Sequence, residues 1–83
     1  MTIYVLTIHH NHGQDTRVFR SEQSALAGLA AYARDWWSSE NVEDDNSNPM
    51  PEPPESDGEA IRLYFEATSG REYYDIDSAT LED

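Results

Sequence analysis

The 83-residue chain carries 17 acidic residues against 5 arginines, with no lysine and no cysteine, for a formal charge of −12. Its length leaves room for one domain, read as 1–83, that buries only about 60–65% of the surface its unfolded form exposes. Without cysteine a disulfide framework, a thiolate zinc site and a cysteine nucleophile are excluded, and a field this negative argues against direct nucleic-acid binding and against an anionic membrane.

The charge is unevenly placed. Residues 1–34 hold Asp15 and Glu22 against Arg17, Arg20 and Arg34, whereas residues 35–83 hold fifteen acids against Arg62 and Arg71. The first ten residues, MTIYVLTIHH, have no basic start and too few apolar positions for a signal core or a membrane span. The chain therefore reads as a soluble, cytoplasmic protein.

Residues 2–9, TIYVLTIH, are rich in β-branched and aromatic types, with apolar residues on both alternating faces, which predicts a central strand. Asn11, Gly13 and Asp15 supply turn positions, and Thr16 to Arg20 alternates polar and apolar residues as the return arm of a hairpin. Ser21 is the natural N-cap of a helix over 22–38, with Glu22 in its first turn. At 100° per residue Leu26, Leu29, Ala30, Ala33 and Trp37 share a stripe, with Ala25, Tyr32 and Trp36 on its flank, so Trp37 is expected in the core and Trp36 at the rim.

Residues 40–55, ENVEDDNSNPMPEPPE, place four prolines within six positions and predict a mobile loop. Its extended backbone would carry its acids away from the body. Ser56 and Glu59 have capping-box spacing and open a second helix through 66 or 67, with Ala60, Ile61, Tyr64 and Phe65 on one face. Ser69-Gly70 ends it. Arg71 to Asp77 then alternates as a third strand, with Tyr74 and Ile76 on one face and Tyr73, Asp75 and Asp77 on the other. The fold class is α+β, in the order β-β-α-α-β, with two helices on one face of a three-stranded sheet.

His9, His10 and His12 fall within four residues, and strand alternation sets His10 and His12 on one side at a spacing that two metal ligands can share. The structural alternative is a strand end and turn with exposed imidazoles, and no H-E-x-x-H completes a site. Asp44, Asn46 and Asn48 have the i, i+2, i+4 spacing of a calcium loop, but Pro49 stands where that loop needs glycine. The paired carboxylates lie in solvated stretches, which argues against acid–base catalysis and for a protein that is not an enzyme and needs no cofactor.

Glu43, Asp44, Asp45, Glu52, Glu55, Asp57 and Glu59, together with Asp75 and Asp77, are the candidate partner-binding surface, with Trp36, Tyr32 and Tyr73 as aromatic anchors at its edge. A basic cleft built for DNA also receives a protein of comparable negative charge density. The run YVLTIHHNHG, then DTRVF, then SEQSALAGLAAYARDWW, an acidic Pro-interrupted middle and a YYDID end resembles small reading frames of bacterial phages and mobile elements. Among their products, anti-CRISPR proteins and DNA mimics recur. The resemblance is one of size, order and charge and carries over no functional residues. It implies an inhibitor that occupies a basic nucleic-acid-binding surface of a protein or nucleoprotein in the host cytoplasm. The alternatives are a small metal-binding domain built on His9, His10 and His12, and a halophile's housekeeping domain, since Lys-free acidity also suits high salt.

Overall fold

The structure, a computed structural model, describes residues 1–10 and 12–81. Strand β1 (Thr2–His10) and strand β2 (Gly13–Phe19) form a hairpin, followed by helix α1 (Glu22–Asp35), a 3-10 turn (Trp37–Ser39), helix α2 (Asp57–Ala67) and strand β3 (Tyr73–Thr80). Both β2 and β3 pair antiparallel to β1, in the order β2-β1-β3, so the β-branched first strand is central as its composition predicts. Asn11, expected in the hairpin turn, lies outside the described residues. Asp15, also expected in the turn, instead pairs with Ile8 inside the ladder, because β2 resumes pairing at Gly13.

Ser21 caps α1 by accepting the Ser24 N–H at 3.1 Å from an extended backbone. The buried stripe is Ala25, Leu29, Ala30 and Ala33, while Leu26 is exposed, so the helix is rotated from the face its bulky residues suggest. The cause is a close approach to the sheet. A Cβ on Gly28 would lie 2.7 Å from Phe19 Cζ, and only a helix that turns its small side inward admits the Phe19 ring there. The α-helix also stops three residues earlier than predicted. The 3-10 turn that replaces its last turn carries Trp37 inward, where its indole N–H donates to the Met50 carbonyl at 2.7 Å.

Ser56 caps α2, accepting from the Glu59 N–H, and Ala60, Ile61, Leu63 and Tyr64 are buried; Phe65, expected among them, is half-buried against Tyr74. Gly70, at φ +87°, turns the chain out of the helix. The third strand begins two residues later than predicted and runs to Thr80, because β1 offers partners as far as Thr2.

Two apolar clusters share Tyr32 and Phe65. One joins the sheet to the helices through Leu6, Ile8, Leu29, Ala30 and Ile61. The other contains no strand residue and packs Ala33, Trp37, Val42, Ala60, Leu63 and Tyr64. Fully burying an apolar side chain of Leu or Val size contributes about 1.5–3 kcal/mol, and Leu29→Ala would cost roughly 2–5 kcal/mol.

The segment 40–55 does not stand away from the body. Val42 is buried in the second cluster, Met50 packs against it, and the chain between them forms a miniature hairpin. Met50 N–H donates to the Val42 carbonyl at 2.8 Å and Asp44 N–H to the Asn48 carbonyl at 2.8 Å, with Glu43 bridging Pro49. Proline is tolerated there because its missing N–H is not required at that rung. Val42 and Met50 thus anchor the segment, and their burial outweighs the extended preference of the prolines.

Candidate functional site

The face of the sheet away from the helices follows from register. Side chains directly opposite one another share a face, so Val5 and Asp77, Thr7 and Asp75, and His9 and Tyr73 lie together on the uncovered side, while Leu6 and Ile8 point to the helices. His9 stacks on Tyr73 with ring centroids 4.3 Å apart and planes 14° apart, and its Nε2 stands 3.8 Å from Asp75. Asp75, Asp77 and Tyr73 are therefore exposed on one open sheet surface.

The remaining acids belong to the helix layer. Glu40, Asn41, Glu43, Asp44, Asp45, Leu63, Glu66 and Ala67 line a groove of about 470 Å³ between the 40–45 segment and α2. No strand residue lines this groove, whereas Asp75 and Asp77 lie on the uncovered face of the sheet, so the candidate acids divide between two surfaces. Glu40 and Glu66, not singled out from sequence, complete the groove. Their signal was helical spacing from Arg62 for Glu66, and none for Glu40.

Several of these carboxylates are already partnered. Arg62 donates to Asp45 at 3.1 Å, to Glu59 at 2.7 Å and to Glu66 at 3.1 Å, and its hydrogen bond, then its charge, holds the Asp45 carboxyl below the usual range. Arg71 reaches Glu40 at 3.0 Å, and Arg34 binds Asp57 at 2.7 Å while donating to the Pro54 and Glu55 carbonyls. Five carboxylates line the groove and two guanidiniums reach it, which leaves it negative. Asp44 Oδ1 accepts the N–H groups of Asn46 and Asn48, both at 2.9 Å. The spacing that resembled a calcium loop is thus a self-capped turn.

A second groove, of about 410 Å³ and mainly apolar lining, is formed by Trp37, Ser38, Asn41, Val42, Glu43, Pro49, Met50 and Pro51. Asn41 and Glu43 belong to both grooves. Glu52 and Glu55 are exposed on the proline-rich stretch that follows. Trp36 is 51% exposed at the end of α1, as expected of a rim residue. Tyr32 is half-buried beside it, with ring centroids 6.5 Å apart, and its hydroxyl donates to Glu72 Oε1 at 2.6 Å.

Glu72 was missed by sequence reasoning. It is buried, and Tyr64 donates to the same oxygen at 2.9 Å. Burial first, and then the hydrogen bond to Glu72, pushes both tyrosine hydroxyls far above their ordinary value.

His10 Nδ1 accepts the His12 N–H at 3.2 Å, and His10 Nε2 lies 3.3 Å from Asp15, with the His10 and His12 rings 6.2 Å apart. Among the described residues no group of three or more His, Cys, Asp or Glu is placed to hold a metal ion. No described helix is long and apolar enough to cross a membrane. Comparison with protein families, curated proteins and solved structures finds no match to this chain.

Proposed function

We propose that this protein is an acidic inhibitor that binds a basic nucleic-acid-binding protein and occupies the surface where that partner holds DNA or RNA, acting in a bacterial cytoplasm. The partner classes that fit are CRISPR effector complexes and restriction enzymes, whose channels follow a polyanion. The observation that carries the reading is the pair of adjoining grooves, one acidic and one apolar, that share Asn41 and Glu43. Such a pair suits a basic surface in which an Arg or Lys stands beside an apolar side chain. The cation enters among Glu43, Asp44 and Asp45, and its apolar neighbour packs on Trp37, Val42 and Met50. Charge then governs the approach and apolar burial holds the complex.

This reading narrows the candidate surface. Glu43, Asp44 and Asp45 are its centre, with Asp45 shared with Arg62; Glu52 and Glu55 extend it, and Asp57 and Glu59 lie at its margin as partners of Arg34 and Arg62. Asp75, Asp77 and Tyr73 form a separate surface.

The test is displacement of labelled DNA from purified CRISPR effector complexes and restriction endonucleases at about 50 and about 200 mM salt, a range over which polyelectrolyte contacts weaken by orders of magnitude. Displacement should fall steeply with salt and disappear in E43Q/D44N/D45N, in which the amide introduced at position 44 keeps an oxygen to cap its turn. Displacement that ignores salt, or survives the triple neutralisation, overturns the proposal.

A further inference from the structure

We infer that β2 is a self-pairing edge, through which two copies of this chain join their sheets into one six-stranded antiparallel sheet. Met1 and Leu81 exchange both backbone hydrogen bonds, Leu81 N–H to Met1 O at 2.7 Å and Met1 N to Leu81 O at 3.3 Å. Alternation along an antiparallel ladder then turns the odd-numbered residues of β1 toward β3 and the even-numbered ones toward β2. Through the register Leu6↔Arg17, Ile8↔Asp15 and His10↔Gly13, the odd residues of β2 bond inward. Gln14, Thr16 and Val18 therefore present their N–H and C=O groups to the free edge, and all three are exposed.

An edge with outward groups on even residues pairs with its own copy about a two-fold axis at Thr16. In that register Thr16 faces the partner's Thr16, Gln14 faces the partner's Val18, and these rungs supply six backbone hydrogen bonds. The intervening rungs set Asp15 against the partner's Arg17 and Arg17 against the partner's Asp15, on the same face and in the closer, non-hydrogen-bonded position. The edge is thus complementary to itself in charge as well as in backbone pattern, as a two-fold interface requires.

Three further observations favour a second copy as the occupant. Arg34, Arg62 and Arg71 are each engaged by a carboxylate, whereas Arg17, like Arg20, makes no ion pair among the described residues, and Asp15 meets only His10 Nε2, at 3.3 Å. The strand belongs to the near-neutral first third of the chain, so pairing there keeps the acidic segments of the two copies apart. At the other edge, whose outward groups also lie on even residues, self-pairing about the central Ile76 would set Asp75 directly against the partner's Asp77. Above the β2 edge α1 offers no bulk, since Ser24 and Ala31, one turn either side of the Gly28 that meets Phe19, are small and exposed.

The experiment is sedimentation equilibrium of the full chain over a concentration series, with circular dichroism confirming that each variant is folded. The wild type should show a species of twice the 9.5 kDa chain mass. R17D, which sets Asp15 against a second carboxylate across the two-fold axis, should weaken dimerisation by about tenfold or more. The exchange D15R/R17D restores opposite charges and should recover the dimer. A chain that stays monomeric throughout the series, a dimer indifferent to R17D, or a folded double variant that fails to recover it would each overturn the inference. None of these results bears on DNA displacement, so this inference and the inhibitor reading fail independently.

Discussion

Tyr32 and Tyr64 both donate their hydroxyls to one oxygen of Glu72, tying α1 and α2 to the start of β3 through a single buried carboxylate. A buried charge left without donors, or donors left without their acceptor, is costly, so this junction should be among the least substitutable points of the fold. Glu72→Ala is expected to cost about 3 kcal/mol, the sum of two hydrogen bonds to a charged group. In a domain of this size that lowers Tm by roughly 12–24 °C. Glu72→Gln keeps the acceptor and should cost less than half as much. Thermal denaturation of the two variants checks the ratio.

The same pair sets an alkaline limit. Because burial and the Glu72 hydrogen bond raise both tyrosines above their ordinary value of 10.0, their contribution is fully present below pH 10 and is lost as pH rises beyond it. Urea denaturation between about pH 8 and pH 11 should show stability falling above pH 10. The slope should be smaller in Tyr64→Phe, and an unchanged slope would show that the network does not control it.

The two adjacent tryptophans should report different environments. Trp37 is 2% exposed and Trp36 51% exposed. Trp36→Phe is expected to leave a blue-shifted emission resistant to acrylamide, and Trp37→Phe a red-shifted emission that quenches readily. Trp37→Phe also strips the Met50 carbonyl of its donor, at about 1–2 kcal/mol. Faster limited proteolysis within 40–55 would follow from the released segment.

Arg34 holds the junction of the proline-rich stretch and α2, with Asp57 at 2.7 Å and the carbonyls of Pro54 and Glu55 at 3.3 and 2.9 Å. Arg34→Ala is expected to cost about 1–2 kcal/mol. Arg34→Lys should recover less than half of that, since a single ammonium does not reproduce the fork. Chemical denaturation of both variants decides between shape and charge.

Asp75 and Asp77 are two residues apart on one face of β3 and repel each other, and aspartate fits a pleated strand poorly. Asp77→Thr should therefore stabilise the fold by about 0.5–1 kcal/mol. Because Asp77 does not line the acidic groove, the same variant should displace DNA from a partner as well as wild type does. Loss of displacement would return this surface to the binding site.

Local rules made much of this protein legible before its structure. Ser21 and Ser56 mark helix starts because a side-chain oxygen must satisfy N–H groups that no preceding turn can reach, and TIYVLTIH is central because its branched side chains suit a doubly flanked strand. The same kind of rule placed Trp37 inside and Trp36 outside, and put Asp75 and Asp77 together on the outer face of β3. What local rules misplaced depended on partners distant in sequence. Leu26 yields the inner face to Ala25 because Gly28 must meet Phe19. The 40–55 segment folds down because Trp37 offers Val42 and Met50 a buried seat and a hydrogen-bond donor, and composition carries no trace of that seat.

The fate of each acid divides along the same line. Its presence on an exposed stretch follows from the residues around it, but its role follows from which arginine the fold brings within reach. Asp45, Glu59 and Glu66 meet on Arg62, Asp57 meets Arg34, and Glu72 is drawn inside by two tyrosines. The net charge and its concentration after residue 34 were therefore determined by the sequence alone. The division of that charge into an acidic groove, a separate sheet surface and a buried anchor was decided by tertiary structure, because Coulomb and hydrogen-bond energies depend on distances that only packing sets.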